Sequence, residues 1–317
     1  KEYCRRADKM NCIDRRFEKS KIKEEKGDNL SEKLIRNFEN TDYYGYMFLV
    51  RYRGSCFDSF DENPGKKSVK SEFRKILENS GIGIYKGIQQ AGRTDRYVSA
   101  EANILYINSK NNIIPDNIKA ELNKEKNEGL EIIDIKKTMP FLEFPDMIEK
   151  RYYSYEYPEN LIKNDTEKIR KLCNELSGKT DFKKFTSKKG EKLKNHIRDI
   201  RIKYEEGKLC FEGDGFLPQQ VRIMSNYILN NKMTPLEGKY LTLDKVEISG
   251  SLKDLIFGEV TDMKIEKVSK IEKNRYFYIF YVDNKNKSEI IGKKGKNIRQ
   301  MKRIYGNIVV KEENGIL

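Results

Sequence analysis

The chain has 317 residues, and its 64 Lys and Arg against 50 Asp and Glu give a formal net charge of +14. This length is typical of about two domains, and 37% hydrophobic residues with 19 Tyr and 15 Phe exclude a globally disordered chain. No apolar run reaches the ~18–20 residues of a membrane span, and the first residues lack the apolar region of a signal peptide. We therefore expect a cytoplasmic protein without a membrane partner.

Two scarcities limit the chemistry. His196 is the single histidine, which excludes a nuclease mechanism with paired histidines and argues against a histidine-rich metal site. The five cysteines are scattered, odd in number and without C-x-x-C spacing, so neither a disulfide framework nor a zinc knuckle is indicated. Chemistry must therefore come from carboxylates, hydroxyls, phenols or basic groups, and no metal site is expected.

The positive charge is unevenly distributed. Residues 251–317 carry 15 Lys and Arg against 9 Asp and Glu. Within 285–303 there are eight basic residues, and Glu289 is the one acidic residue. Half of the surplus thus lies in one short stretch, which favours a polyanionic partner.

The predicted elements follow from apolar periodicity and turn signals. Residues 1–43 are a charged N-terminal extension. Strands are predicted at 43–54, 103–107, 131–138 and 150–159, and helices at 68–81, 165–178 and 217–231. A hairpin is predicted over 195–216, with its turn at 205–208. A further unit beyond residue 250 is predicted to run helix, strand, GKKG, helix, strand. Ser68 is the expected N-cap of the first helix.

This order of elements predicts an α+β fold. Two successive strand and helix units with antiparallel hairpins are typical of ferredoxin-like (RNP-like) subdomains, here 44–145 and 146–250, that share a mainly antiparallel sheet. Residues 251–317 are predicted to form a small α/β domain.

The first candidate motif is G-R-T-D, ending at Asp95 in a loop between apolar segments. A carboxylate that acts as nucleophile or base must be ionised and oriented, and a nearby guanidinium favours both. The alternative is a structural turn, since Asp and Gly are common turn residues.

Two more motifs lie downstream. On a strand, Tyr153, Tyr155 and Tyr157 share one face, where aromatic rings could stack on an extruded base or simply pack in the core. Arg222 stands among apolar residues of a helix, and it is either a surface residue that extends its charged end to solvent or a partner for a carboxylate.

In this order G-R-T-D, Arg-x-Tyr-x-Tyr and G-x-x-F-L-x-x-x-V-R resemble the TruA-type pseudouridine synthases of transfer RNA, over roughly residues 44–250. Two flanking matches agree, Y-R-G-S at 52–55 and D-F-K-K-F at 181–185. The resemblance implies isomerisation of uridine to pseudouridine in structured RNA, with tRNA as the expected substrate. It implies no cofactor, and it leaves monomer and homodimer both open.

The resemblance also implies residue roles. Asp95 matches the catalytic aspartate, which starts the isomerisation by attack on the uracil ring or by a route at the ribose. Tyr153 matches the tyrosine that stacks on the target base and is implicated in proton handling. Arg222 matches the basic partner of the aspartate, and Arg93 the arginine associated with base extrusion, a step that costs a few kcal/mol.

The chain also departs from this family. Arg96 and Tyr97 replace two small residues after the aspartate, and Ser99 replaces a histidine. Residues 218–220 differ from the family's H-H-M, and the acidic stretch 58–62 replaces G-W-Q-R-Q. These departures motivate an alternative, a non-catalytic RNA-binding or chaperone protein on a decayed synthase scaffold. A DNA-binding factor that uses the basic tail is a third hypothesis.

The tail carries the fourth motif, I-I-G-K-K-G-K-N-I-R. A GXXG loop, predicted here after an apolar strand and before a helix, lets backbone amides approach phosphates. With its flanking Ile residues it resembles a KH domain of the NusA-like kind, whereas GKKG alone could be a solvated turn. The RNA-binding residues that this implies are Gly292, Lys293, Lys294, Gly295, Lys296 and Arg299.

Overall fold

The computed structural model describes residues 37–124, 129–257 and 259–313. Residues 1–36 of the predicted N-terminal extension, with Cys4 and Cys12, lie outside the described residues. Among the described residues, no helix is both long enough and apolar enough to cross a membrane.

A mixed sheet of ten strands forms the centre of the described part. Its strands are β1 (Tyr44–Tyr52), β2 (Tyr85–Gln90), β3 (Ser99–Ser109), β4 (Leu130–Thr138), β5 (Ile148–Tyr155), β6 (Gly178–Asp181), β7 (Ile197–Glu205), β8 (Lys208–Gly213), β9 (Leu241–Ile248) and β10 (Ile256–Phe257). The order is β10-β4-β1-β3-β9-β5-β8-β7-β6, and β2 pairs with β3. Of these described pairings, β3 with β9 is parallel and the others are antiparallel. The predicted α+β class and mainly antiparallel sheet are confirmed, while the division into ferredoxin-like subdomains stays a prediction.

The residue patterns explain where strands lie in this sheet. Strand β1, rich in aromatic and aliphatic residues, is buried along almost its whole length, as expected for a central strand covered on both faces. Strand β7 instead buries Ile200 and Ile202, while Asp199, Arg201 and Lys203, which alternate with them, are exposed. This alternation is typical of a strand with one solvated face.

Four helices accompany the sheet: α1 (Val69–Asn79), α2 (Pro115–Leu122), α3 (Thr166–Glu175) and α4 (Gln220–Asn230). The predicted N-cap of α1 is confirmed, because the Ser68 hydroxyl accepts from the Ser71 amide and the Ser71 hydroxyl accepts from the Ser68 amide. Helix α4 is buried almost all round, so its polar side chains must find partners inside the protein.

The tail forms a second, four-stranded sheet after the short helix α5 (Gly250–Lys253). It contains β11 (Glu259–Val260), β12 (Lys270–Lys273), β13 (Tyr278–Val282) and β14 (Ile308–Glu312), with helices α6 (Asn284–Ile291) and α7 (Lys296–Tyr305) between β13 and β14. GKKG therefore follows a helix, and the predicted position directly after a strand is wrong. The segment before it buries Ile290 and leaves mostly charged or polar residues outside, which suits two turns of helix.

The tail sheet is buried on both faces. Ile279, Tyr281 and Val309 belong to the main core, together with Phe277. Phe280, Val282, Ile308 and Val310 form a second core beneath α6 and α7. Residues of the tail therefore complete the core of the rest of the chain, and Phe38, from the predicted extension, is buried beside Phe277.

A buried ion pair joins β4 of the large sheet to β12 of the tail. Lys137 Nζ lies 3.2 Å from Glu272 Oε2, and the side chains are 0% and 2% exposed. Lys137 also donates to Asn112 Oδ1 at 2.5 Å and to the Tyr281 hydroxyl at 2.9 Å. Burial lowers the pKa of Lys137 to about 8, whereas for Glu272 burial is outweighed by Lys137 and Lys270, which lower its pKa.

Removal of one partner of this pair tests its role. We expect Glu272→Ala to lower the free energy of unfolding by about 3–5 kcal/mol, because an unpaired ammonium is left in the core. Without Glu272 the pKa of folded Lys137 falls further below its unfolded value. In the folded variant Lys137 therefore releases its proton as the pH rises. The loss in the free energy of unfolding should then be smaller at pH 9 than at pH 6. Urea unfolding at both pH values measures this.

The exposed pair of Arg275 with Asp254, 2.7 Å apart, is the control, and Asp254→Ala should cost no more than about 1 kcal/mol. A double variant, Lys137→Met with Glu272→Leu, should recover most of the lost stability. Equal costs for Glu272→Ala and Asp254→Ala would contradict the role assigned to the buried pair.

Candidate active site

The loop that carries Asp95 runs from β2 to β3 and is held by a buried amide. Asn103 Oδ1 accepts from the Gly92 amide at 3.1 Å, and Asn103 Nδ2 donates to the Gly92 carbonyl at 2.7 Å. The same Nδ2 lies 3.2 Å from the Tyr52 hydroxyl, which is 2.9 Å from the hydroxyl of Thr94. Asp95 is therefore positioned by its neighbours in the loop.

Asp95 pairs with a guanidinium from the other half of the sheet. Arg222 Nη1 on α4 lies 3.0 Å from Asp95 Oδ2, with the two side chains 15% and 36% exposed. Arg222 Nε donates to the Leu236 carbonyl at 2.6 Å, which fixes the orientation of the guanidinium. Of the two sequence alternatives for Arg222, the structure shows the carboxylate partner.

Tyr153 lines the same cleft from β5 and is 7% exposed. Its ring packs edge-on against Phe216 at 5.3 Å, and a Cβ added at Gly92 would lie 3.6 Å from its hydroxyl. Burial raises the pKa of Tyr153 to about 12, Arg151 lowers it and Asp95 raises it. The phenol therefore keeps its proton at neutral pH. Tyr155, by contrast, is fully buried core.

The cleft that these residues line has a volume of about 860 Å³. Arg151 was given no role by the sequence, yet it lines this cleft. Arg151 Nε donates to the Ala91 carbonyl and Nη1 to the Asp214 carbonyl, both at 2.7 Å. It thereby ties the Asp95 loop to the loop before α4. The sequence did contain a signal for this position of Arg151. Arg151 and Tyr153 are two residues apart on one strand, so their side chains lie on the same face.

Arg93 is not the guanidinium beside Asp95. Its Nε lies 2.9 Å from Asp61 Oδ2, and Arg96 Nη2 lies 3.5 Å from Asp58 Oδ1. Arg93 and Arg96 both line the cleft, and so do Asp58, Ser59 and Phe60 of the acidic stretch.

The tail residues form a separate surface, since none of those predicted to bind RNA lines this cleft. Gly292, Lys294 and Gly295 have φ angles of +73°, +54° and +74°, so the glycines suit a backbone that other residues adopt at a cost. Lys293, Lys294, Lys296 and Arg299 are exposed. In the described ranges, no group of three or more His, Cys, Asp or Glu is placed to hold a metal ion.

Known proteins that are similar to this chain are pseudouridine synthases, the predicted enzyme class. Residues 172–241, which include Arg222 but neither Asp95 nor Tyr153, match the family model described as tRNA pseudouridine synthase. The tRNA pseudouridine synthase A of Streptococcus uberis is 28% identical over 214 residues, 59% of this chain and 84% of that protein. The protein of the same name from Oceanobacillus iheyensis is 29% identical over 203 residues, 57% of this chain and 79% of that protein.

These matches confirm the predicted enzyme class, a pseudouridine synthase. Among solved structures, the crystal structure of a Cbf5-Nop10-Gar1 complex matches 69% of this chain and 51% of that chain, at 14% identity and a TM-score of 0.31. A likeness this weak carries no argument about function.

The buried amide of Asn103 can be tested by truncation. Asn103→Ala leaves the Gly92 amide and carbonyl without a partner in the interior, so we expect a loss of about 2–4 kcal/mol in the free energy of unfolding. Urea unfolding measures this loss. The control is Asn307→Ala, which removes an exposed, 3.4 Å contact to Tyr276 and should cost less than about 0.5 kcal/mol. A cost for Asn103→Ala as small as that of the control would show that the loop does not depend on it.

Proposed function

We propose that the chain isomerises uridine to pseudouridine in tRNA, with Asp95 as the catalytic residue. The observation that carries this proposal is the 3.0 Å contact between Asp95 and Arg222, in a cleft that Tyr153 also lines. The cleft volume of about 860 Å³ lies within the ~300–1,000 Å³ of small-ligand sites. The printed names of the similar proteins support tRNA as the substrate.

Asp95 starts the reaction as a carboxylate. The Arg222 guanidinium pairs with the Asp95 carboxylate and orients it, while the 36% exposure of Asp95 leaves it accessible to a substrate. In the isomerisation the bond from ribose C1′ to uracil N1 breaks, the ring turns, and C1′ bonds to C5. The proton of C5 is released and N1 gains one, so the product has the composition of the substrate. Attack of Asp95 on the ring and a route at the ribose both fit this balance.

Tyr153 presents its ring to the extruded base. Because burial raises its pKa to about 12, its hydroxyl can donate a hydrogen bond at neutral pH. Stacking on such a ring is worth ~1–3 kcal/mol per base, which offsets part of the cost of removing the uridine from its stack. In this proposal Arg93, whose side chain is 59% exposed, contacts the RNA from which the base has left.

Substitution of Asp95 tests the catalytic assignment. Asp95→Asn keeps the shape but removes the charge, so release of tritium from RNA labelled at uridine C5 should fall to background. Affinity for the RNA should remain within a few-fold of the parent, since phosphate contacts dominate binding. Asp134→Asn, on β4 beside Lys136, is the control and should keep full activity.

Tritium release that is unchanged by Asp95→Asn would contradict the catalytic role assigned to Asp95. Binding of RNA by the parent protein with no release from any cellular RNA would favour the non-catalytic RNA-binding alternative. Preference for duplex DNA in competition would favour the DNA-binding hypothesis.

We further propose that the tail binds RNA through a KH-like loop. Strand β13, helix α6, GKKG, helix α7 and strand β14 follow one another, and β13 pairs in parallel with β14. The loop lies at the N-terminus of α7, where unpaired amides attract phosphate. Lys293, Lys294, Lys296 and Arg299 add exposed positive charge at this point.

Neutralising the loop tests this proposal without disturbing the core that the tail completes. Lys293→Gln with Lys294→Gln should weaken RNA binding. The slope of log K against log salt should fall by about one to one and a half, since single-strand contacts contribute ~0.7 per phosphate. Filter binding at several salt concentrations measures both. Lys168→Gln with Lys171→Gln, exposed on α3, is the matched control, and an equal change in both double variants would refute a specific role for GKKG.

A further inference from the structure

Two carboxylates that pair with arginines of the cleft have no part in the proposed chemistry. Asp58 and Asp61 pair with Arg96 and Arg93, at 3.5 Å and 2.9 Å. Asp61 is also 3.0 Å from Lys70 Nζ. Anions at this point oppose the approach of a polyanion, because like charges repel and the arginines are already neutralised.

These pairs contribute little to holding the loop in place. The side chains of Arg93 and Arg96 are 59% and 58% exposed, and exposed ion pairs add little stability. The loop is fixed instead by Asn103 and by a close approach of Gly54, where an added Cβ would lie 2.3 Å from the Tyr97 carbonyl. The pairs are therefore free to exchange partners without unfolding the loop.

Arg96, like Arg93, has a guanidinium that can bind a phosphate. It lies one residue after Asp95, lines the cleft, and its guanidinium lies over the Tyr97 ring, 4.4 Å from the centroid. Stacking restrains the guanidinium, but its N–H groups can still donate to an acceptor in the plane of the guanidinium. A phosphate oxygen can replace the Asp58 carboxylate as that acceptor.

We propose that Arg93 and Arg96 form a phosphate-binding site for the RNA backbone, and that Asp61 and Asp58 occupy it as internal competing anions until RNA displaces them. The site deepens the proposed function and rests on it, in that its ligand is the substrate RNA. Each displacement weakens RNA binding and so favours release of the modified product.

The test uses the full chain and an unmodified tRNA transcript. Asp61→Asn and Asp58→Asn should each tighten binding about two- to fivefold, the range set by exposed ion pairs. The slope of log K against log salt should steepen by up to about one per variant, because no displaced carboxylate takes up a counterion. Glu62→Gln is the control, since Glu62 pairs with Arg74 and neither lines the cleft. It should bind within the error of the parent.

A double-mutant cycle separates competition from simple repulsion. Arg96→Gln alone should weaken binding, and Asp58→Asn should have no effect in the Arg96→Gln background. An effect of Asp58→Asn that persists there shows direct repulsion of RNA and overturns the proposal. Unchanged or weaker binding by both single Asp variants also overturns it.

Turnover distinguishes this failure from failure of the proposed function. Tritium release by the parent protein is measured on the same transcript. Absence of release contradicts the synthase assignment while the binding cycle still decides the role of the acidic residues. Thermal unfolding of each variant is compared with that of the parent. If one Asp variant is destabilised, RNA binding by the other Asp variant tests the proposal.

Discussion

The contact of Asp95 with Arg222 depends on how the two halves of the large sheet are joined. Asp95 lies four residues before Ser99, where β3 begins, and Arg222 lies on the helix between β8 and β9. Strands β3 and β9 pair in parallel at Ser99 with Thr242 and at Ala100 with Leu243. Because this pairing adjoins the loop that carries Asp95, it sets the distance between the carboxylate and the guanidinium. The candidate active site is thus a product of the sheet junction rather than of either half.

The tail adds a second constraint. Its sheet gives one face to the main core and the other to its own helices, and the buried pair of Lys137 and Glu272 crosses the boundary. Such a pair is costly to break by removing Glu272, because the Lys137 ammonium would be left without a carboxylate partner in the interior. The GKKG loop is therefore presented from a packed element and not from a flexible appendage. An RNA that contacts both the loop and the cleft must match a spacing set by the core.

The sequence predicted most of what local pattern controls. The apolar run of β1, the N-cap at Ser68 and the ordered motifs with Asp95 and Arg222 each carry a signal in neighbouring residues. Strand β12 was missed because it is only four residues long, Lys270–Lys273, and three of the four are charged. The ion-pair partner of Arg93 could not be predicted from the sequence either. Exposed charges choose partners by tertiary position, which no local spacing encodes, so Asp61 could not be foreseen.

The net charge of +14 is consequently not uniformly available to RNA. At the cleft, Arg93 and Arg96 are each offset by a carboxylate, Asp61 and Asp58 respectively. In the tail, no ion pair among the described residues involves Lys293, Lys294, Lys296 or Arg299, and all four are exposed. Phosphate affinity scales with the cations that can release counterions on binding. The tail is therefore suited to capture RNA, while the cleft keeps its cations restrained and its carboxylate positioned for the chemistry of one base.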